Sequence, residues 1–258
     1  MRKTSLIILC AVIAAIAIGC SEQQKKEFKV ASTLSDGDST IYGLVCEGSN
    51  DSIIVFLRDP YDGGDPDTLD ILEASRQQRV FGTLRTGDRV AIMRNDSVAT
   101  KASSVIVTQD LIGQWCYKVK PTLRRRVEMT GLSDEQVISS MDDSLKQLFE
   151  AEIEYGITLK TDSVAMPIGM RAAAAAADEQ SPIEYPKLKF YRQWYVRNGR
   201  LLLVEMRLDS LGNTVPAATD TAELVLLTPD SLVLRIDSVE NGYYRKQLTD
   251  DVAGGKKD

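Results

Sequence analysis

The 258-residue chain contains no histidine. Ser-His-Asp and Cys-His nucleophilic catalysis and His-ligated zinc are therefore excluded within it. Its four cysteines include no C-x-x-C pair, which removes the usual zinc and redox spacings. A G-x-x-x-x-G-K-[ST] loop, a G-x-G-x-x-G fingerprint and an S-x-x-K pair are missing too. Basic charge is in deficit: 31 Lys plus Arg stand against 37 Asp plus Glu, for a net −6. That balance opposes nucleic-acid binding, which needs cations to neutralise phosphates. Catalysis is left with carboxylates, Glu152 with Glu154 on one strand face and Asp142 with Asp143 on a helix. Paired carboxylates do acid/base work only where their surroundings separate their pKa values, and the flanking residues offer no such surroundings. The expectation is a non-enzymatic protein with no metal and no cofactor.

One apolar stretch is present, at the N-terminus. Arg2 and Lys3 precede thirteen apolar residues, Leu6 to Ile18, and the run stops at Gly19 and Cys20 before "SEQQKKE". A spanning helix needs about 20 apolar residues, so this is the pattern of an export signal. Residues 17–20 resemble the lipobox of bacterial lipoproteins, with Ala17 in place of the favoured Leu. The resemblance implies cleavage before Cys20, lipidation of its sulfur, and a membrane partner held through the lipid. Each buried methylene contributes about 0.8 kcal/mol, so several acyl chains anchor a protein firmly. Residues 1–19 are then the leader and 20–27 a solvated tether, on a protein of the cell envelope, outer membrane-anchored. In that oxidising compartment Cys46 and Cys116 are either a disulfide or two buried thiols in strands.

The mature chain is rich in strand signals. Over residues 28–109, "STIYGLVC", "DSIIVFLR", "QRVFGTL", "DRVAIMR" and "SSVIVTQ" are short β-branched or aromatic runs between Gly, Asp and Asn clusters. "GTLRTGDRVAIM" resembles the turn of small Greek-key barrels of the OB type, which implies a small OB-like β-barrel. "DPYDGGDPDTLD" lacks the spacing of a calcium loop and reads as an acidic surface loop.

Over residues 110–247 the pattern resets. Ser133 and Gln136 form a capping box, and Val137, Met141, Leu145 and Leu148 recur at helical spacing, predicting one amphipathic helix. Eight strands are expected, in "GQWCYKV", "EIEYGITLK", "SVAMPIGM", "LKFYRQWYVR", "RLLLVEMRL", "TAELVLLT", "SLVLRID" and "YYRKQ". Asn198-Gly199, "TPDS" at 228–231 and Asn241-Gly242 mark turns between them. Eight antiparallel strands on short turns make an up-and-down barrel with room for one small ligand. "GQW" at 113–115 on the first strand, with Arg245 on the last, is similar to the calycin or lipocalin group. That resemblance implies Trp115 as the barrel floor and Arg245 crossing it by a cation–π contact. It also departs from the group: a helix follows the first strand, and a T-D-Y-type motif is missing.

Phe190, Arg192, Trp194 and Val196 fall on one strand face and are the candidate ligand-lining residues, unless side chains fill the interior. "RAAAAAADEQSP" reads as a surface insert, and residues 248–258 as an unstructured tail. Asp-Ser/Thr followed by a small or aliphatic residue occurs ten times. It resembles the acceptor motif of a general O-glycosylation system in one group of anaerobic Gram-negative bacteria. The same pair also satisfies turn backbone, which accounts for most of the ten. Two functions are open: a carrier or sensor for a small lipophilic ligand, and an interaction protein whose β units bind an envelope protein partner.

Overall fold

Apolar residues at a period of two build two β-sheets. In the computed structural model, the described residues are 37–124, 131–169 and 182–247. The leader, Cys20, the tether, the alanine run and the tail lie outside them.

The first sheet contains β1 (Ile41–Val45), β2 (Ile53–Arg58), β3 (Asp67–Asp70), β4 (Val80–Phe81), β5 (Arg89–Arg94) and β6 (Ala102–Val107), with helix α1 (Leu72–Arg76) between β3 and β4. β1, β2 and β3 form a meander, β1 also pairs β5, and β5 pairs β6. A parallel bridge from Asp70 to Lys101 brings the ends of β3 and β6 together. This is the OB order of strands, with the helix between the third and fourth long ones. Val45, Ile54, Phe56, Leu69, Val90, Ile92 and Val105 fill its interior. Ala91 and Ile106, on the opposite face of β5 and β6, are also buried, within the core of the second barrel. Both faces of this ribbon are covered, which is why "RVAIM" and "SVIV" read as continuous apolar runs. The acidic loop is exposed from Asp59 to Pro66.

Helix α2 (Thr108–Leu111) leads into the second barrel, made of β7 (Gly113–Val119), β9 (Ile153–Leu159), β10 (Ala165–Ile168), β12 (Tyr191–Arg197), β13 (Arg200–Leu208), β14 (Thr214–Leu227), β15 (Ser231–Ile236) and β16 (Val239–Arg245). Its strand order is β10-β9-β7-β16-β15-β14-β13-β12, all antiparallel. At the seam the Trp194 N–H donates to Ser163 O at 2.9 Å and Val164 bridges Gln193, so the barrel is nearly closed. Each expected strand is present. A small extra ribbon, β8 (Thr122–Leu123) with β11 (Ile183–Glu184), was not foreseen.

Two expectations need correction, and one alternative is decided. The helical segment is two helices, α3 (Asp134–Ser140) and α4 (Asp143–Glu150). The capping box forms, but Ser139 and Ser140 hydroxyls bond back to the Gln136 and Val137 carbonyls and Asp142 caps α4 by accepting from Leu145 N at 2.8 Å. These side chains offer the backbone an alternative to continuing the helix, so it restarts. The last hairpin turns at Asp237-Ser238, with φ of 50° and 68°, while Asn241-Gly242 lies inside β16 opposite Leu234 and Val233. Burial of Leu232 and Leu234 fixes that register and overrides the local Asn-Gly preference. Of the two readings of Cys46 and Cys116, free thiols hold, Cys116 buried in β7 and Cys46 half-buried just past β1.

Candidate functional site

Leu201 and Leu203 of β13, Leu232 and Leu234 of β15, and Ile157 and Leu159 of β9 line a cavity of about 320 Å³. Tyr117, Tyr191 and Tyr243 add aromatic wall. Tyr117 meets Tyr243 edge-on with ring centroids 5.3 Å apart, a favourable quadrupolar arrangement. Burial pushes the Tyr243 hydroxyl up to about 12, so it is neutral at physiological pH. One end of the cavity is polar, formed by Lys187 and Lys189 before β12, Asp237 in the β15–β16 turn, and Asn241. Asp220 accepts from Lys189 at 2.5 Å and also from the Tyr191 hydroxyl. Burial works to raise the Asp220 carboxyl, but these donors outweigh it and hold the carboxyl below its ordinary value.

Outside the cavity's lining, where β7 begins and β16 ends, Trp115 and Arg245 form a pair. The two residues are ladder partners of β7 and β16, and the Arg245 guanidinium lies 4.1 Å from the Trp115 ring centroid. Arg245 donates to the carbonyls of Pro229 at 2.5 Å, Ile112 at 2.7 Å and Asp110 at 2.6 Å. Trp115 is 0% exposed and its indole N–H donates to Leu111 O at 2.7 Å. Gly113 has φ of 148°, and a Cβ there would collide with Arg245 Nη1. The glycine of the G-x-W thus leaves room for the guanidinium, and Trp115 and Arg245 meet as the sequence implied.

The proposed lining of β12 does not hold. Tyr191 faces Glu205 and Gln193 faces Val204 on β13, which leaves Arg192 as the extra residue of a β-bulge. The bulge shifts the strand's phase, putting Tyr191 in the cavity wall, whereas Phe190 and Arg192 are exposed. Trp194 is buried beside Leu203, but its indole N–H bonds Lys160 O at 2.9 Å and it serves the seam. A single inserted residue leaves no mark in a period-two pattern. The tyrosines on β7 and β16 could have been found from their two-residue spacing to Trp115 and Arg245.

The carboxylates singled out above are ion-paired or structural. Glu154 accepts from Lys246 and, at 2.6 Å, from Tyr244, which lowers its pKa; Glu152 pairs with Lys118 at 3.0 Å. Asp142 is an N-cap, and Asp143 is exposed in the first turn of α4. Among the described residues no group of three or more Cys, Asp or Glu could hold a metal, and no helix is long and apolar enough to cross a membrane.

No family model matches the chain, and a search of curated proteins finds no match. Among solved structures the chain is similar to a lipocalin-like protein from Bacteroides thetaiotaomicron VPI-5482, at 20% identity and a TM-score of 0.28, over 53% of this chain and 97% of that one.

Proposed function

We propose that this chain is a non-catalytic, lipid-anchored envelope protein that binds a small amphipathic ligand in the lumen of its eight-stranded barrel. The observation that carries the reading is the cavity itself: leucines and tyrosines along its wall, with Lys187 and Lys189 at its polar end. Its 320 Å³ lies at the lower end of small-molecule sites and equals roughly ten waters at about 30 Å³ each. A ligand of that size places an apolar body against Leu203 and Leu234 and an acidic head near Lys187. The anchor is supported by the sequence from Ala17 to Cys20.

The test is titration of the full chain in mild detergent with an environment-sensitive apolar dye, followed by competition with short-chain fatty acids. Saturable fluorescence that the acids displace, and that Leu203→Trp abolishes by filling the cavity, is expected. A signal unchanged in Leu203→Trp, or displaced by no amphiphile, refutes the reading. The anchor is checked separately, since the N-terminal peptide of native protein should carry a diacylglyceryl mass on Cys20.

A further inference from the structure

A second concavity, of about 380 Å³, lies outside the barrel where the first sheet meets β13, β14 and β15. Arg79 comes from the segment after α1, and Arg200 and Arg235 from the second barrel. Gln77, Gln78, Ser103, Ser104 and Asn198 supply neutral hydrogen-bonding groups around them.

The cations are not equivalent. Across the barrel's outer face the ladder sets Arg200 opposite Glu223, Glu223 opposite Arg235, and Arg235 opposite Glu240. Arg235 takes both acids, bonding Glu223 at 2.9 Å and Glu240 at 2.6 Å. Arg200, whose other cross-strand neighbour is Arg197 of β12, takes neither acid, and neither it nor Arg79 has an ion-pair partner among the described residues. The chain has acids in excess, yet none beyond Glu223 lines this cleft. The backbone beneath is fixed: Arg79 N–H bonds Ala74 O at 2.7 Å and Val105 N–H bonds Arg79 O at 3.0 Å. Gln78 in the cleft wall has φ of 56°, a left-handed conformation unfavourable for a side chain of this kind. Two guanidiniums with free donor forks, one after α1 and one on β13, walled by amides and hydroxyls, suit a planar or tetrahedral anion received by both.

The geometry points to this cleft as a binding site for the phosphate or carboxylate group of a polar ligand, held between Arg79 and Arg200. The site is separate from the lumen and stands or falls independently of the ligand proposed there.

The test is isothermal titration of the full chain in detergent, at low ionic strength, with inorganic phosphate and with citrate in separate arms. Saturable binding of at least one is expected, with the arms telling a phosphate site from a carboxylate site. Arg79→Gln and Arg200→Gln should each weaken it at least tenfold while Arg89→Gln, at the end of β5 away from the cleft, leaves it unchanged. Both cleft residues are exposed, so thermal melting of the variants should match the parent. Lack of saturable binding by either probe, or equal binding by the Arg79→Gln/Arg200→Gln double variant, overturns the assignment.

Discussion

Replacing Arg245 with Ala tests how the Trp115–Arg245 pair is held. The side chain donates to three carbonyls at 2.5–2.7 Å and stacks on a fully buried indole. Hydrogen bonds to a charged group contribute about 1.5–3 kcal/mol each when intact, and the stacking about 1–2 kcal/mol. Arg245 is partly exposed, so water re-solvates some of the freed carbonyls and the sum is not realised in full. About 3–4 kcal/mol of lost stability is expected for Arg245→Ala by urea denaturation. Lys keeps the charge but reaches neither three carbonyls nor a planar stack, so Arg245→Lys should still lie about 2 kcal/mol below the parent. Gly113 sharpens the test, because its added Cβ clashes with the guanidinium itself. Gly113→Ala should therefore cost at least about 1 kcal/mol less in an Arg245→Ala background, a coupling a double-mutant cycle resolves. Arg245→Lys within about 0.5 kcal/mol of the parent, or additive Gly113 and Arg245 effects, would refute the reasoning.

Acid sensitivity should trace in part to Asp38. Burial works to raise its carboxyl, but donors from Thr40 and Tyr42 and the Arg197 charge outweigh it and hold it below 3.8. The unfolded chain then binds the proton more readily, so this stability is present above pH 3.8 and lost as pH falls through the depressed native value. Asp38→Asn should flatten the stability-versus-pH curve below pH 4, measured by urea midpoint, and an unchanged slope would count against the pairing. Asn198 is the other half of this clasp: its side-chain oxygen accepts from Ser39 N and Oγ, both at 2.9 Å, its amide donates to Gly37 O, and its φ is 48°. Asn198→Ala should cost about 2 kcal/mol from lost hydrogen bonds and left-handed strain, whereas Asn198→Asp, which tolerates that conformation, should cost less.

Most of this architecture could be read from the sequence because it rests on short-range pattern. The eight barrel strands follow from period-two alternation, and Asn198-Gly199 turned as expected, both residues at positive φ. Trp115 and Arg245 came from a motif, and their contact is 130 residues apart along the chain yet one rung across the ladder. What escaped depends on tertiary choice. The bulge at Arg192 is set by how β12 meets β13, and the Asp237-Ser238 turn by which leucines reach the core. The helix break at Met141–Asp142 was visible as an N-cap residue inside an apolar period, where two local signals competed. Asp-Ser/Thr pairs behave at least partly as turn chemistry: Asp38 and Asp209 accept from the backbone N–H two residues ahead. The free arginines in the outer cleft were legible to no motif, since Arg79 follows α1 and Arg200 opens β13, far apart along the chain.

The boundary drawn between Gln109 and Asp110 cuts through α2, and that helix ties the two sheets together. Its Asp110 side chain accepts from Thr83 N–H at 2.8 Å and Arg85 at 3.0 Å in the first unit, while its carbonyl accepts from Arg245 in the second. Leu111 O receives the Trp115 indole, and Ala91 and Ile106 of the first sheet are buried in one cluster with Trp115, Leu111 and Leu227. Two of the three carbonyls that hold Arg245, and the acceptor for Trp115, thus lie N-terminal to β7. A chain starting at Gly113 would leave a buried indole N–H unpaired, at about 1–3 kcal/mol, and remove two charged hydrogen bonds of about 1.5–3 kcal/mol each. It would also uncover the apolar face that Ala91 and Ile106 protect. Against a typical domain stability of about 5–15 kcal/mol these losses are decisive, so that chain should give no cooperative urea transition, while one starting at residue 28 keeps the parent's. A cooperative transition in the shorter chain, within about 1 kcal/mol of the parent, would mean that the Trp115–Arg245 pair is held without the first sheet. The expected failure would instead make the first sheet a structural part of the Trp115–Arg245 end of the larger barrel.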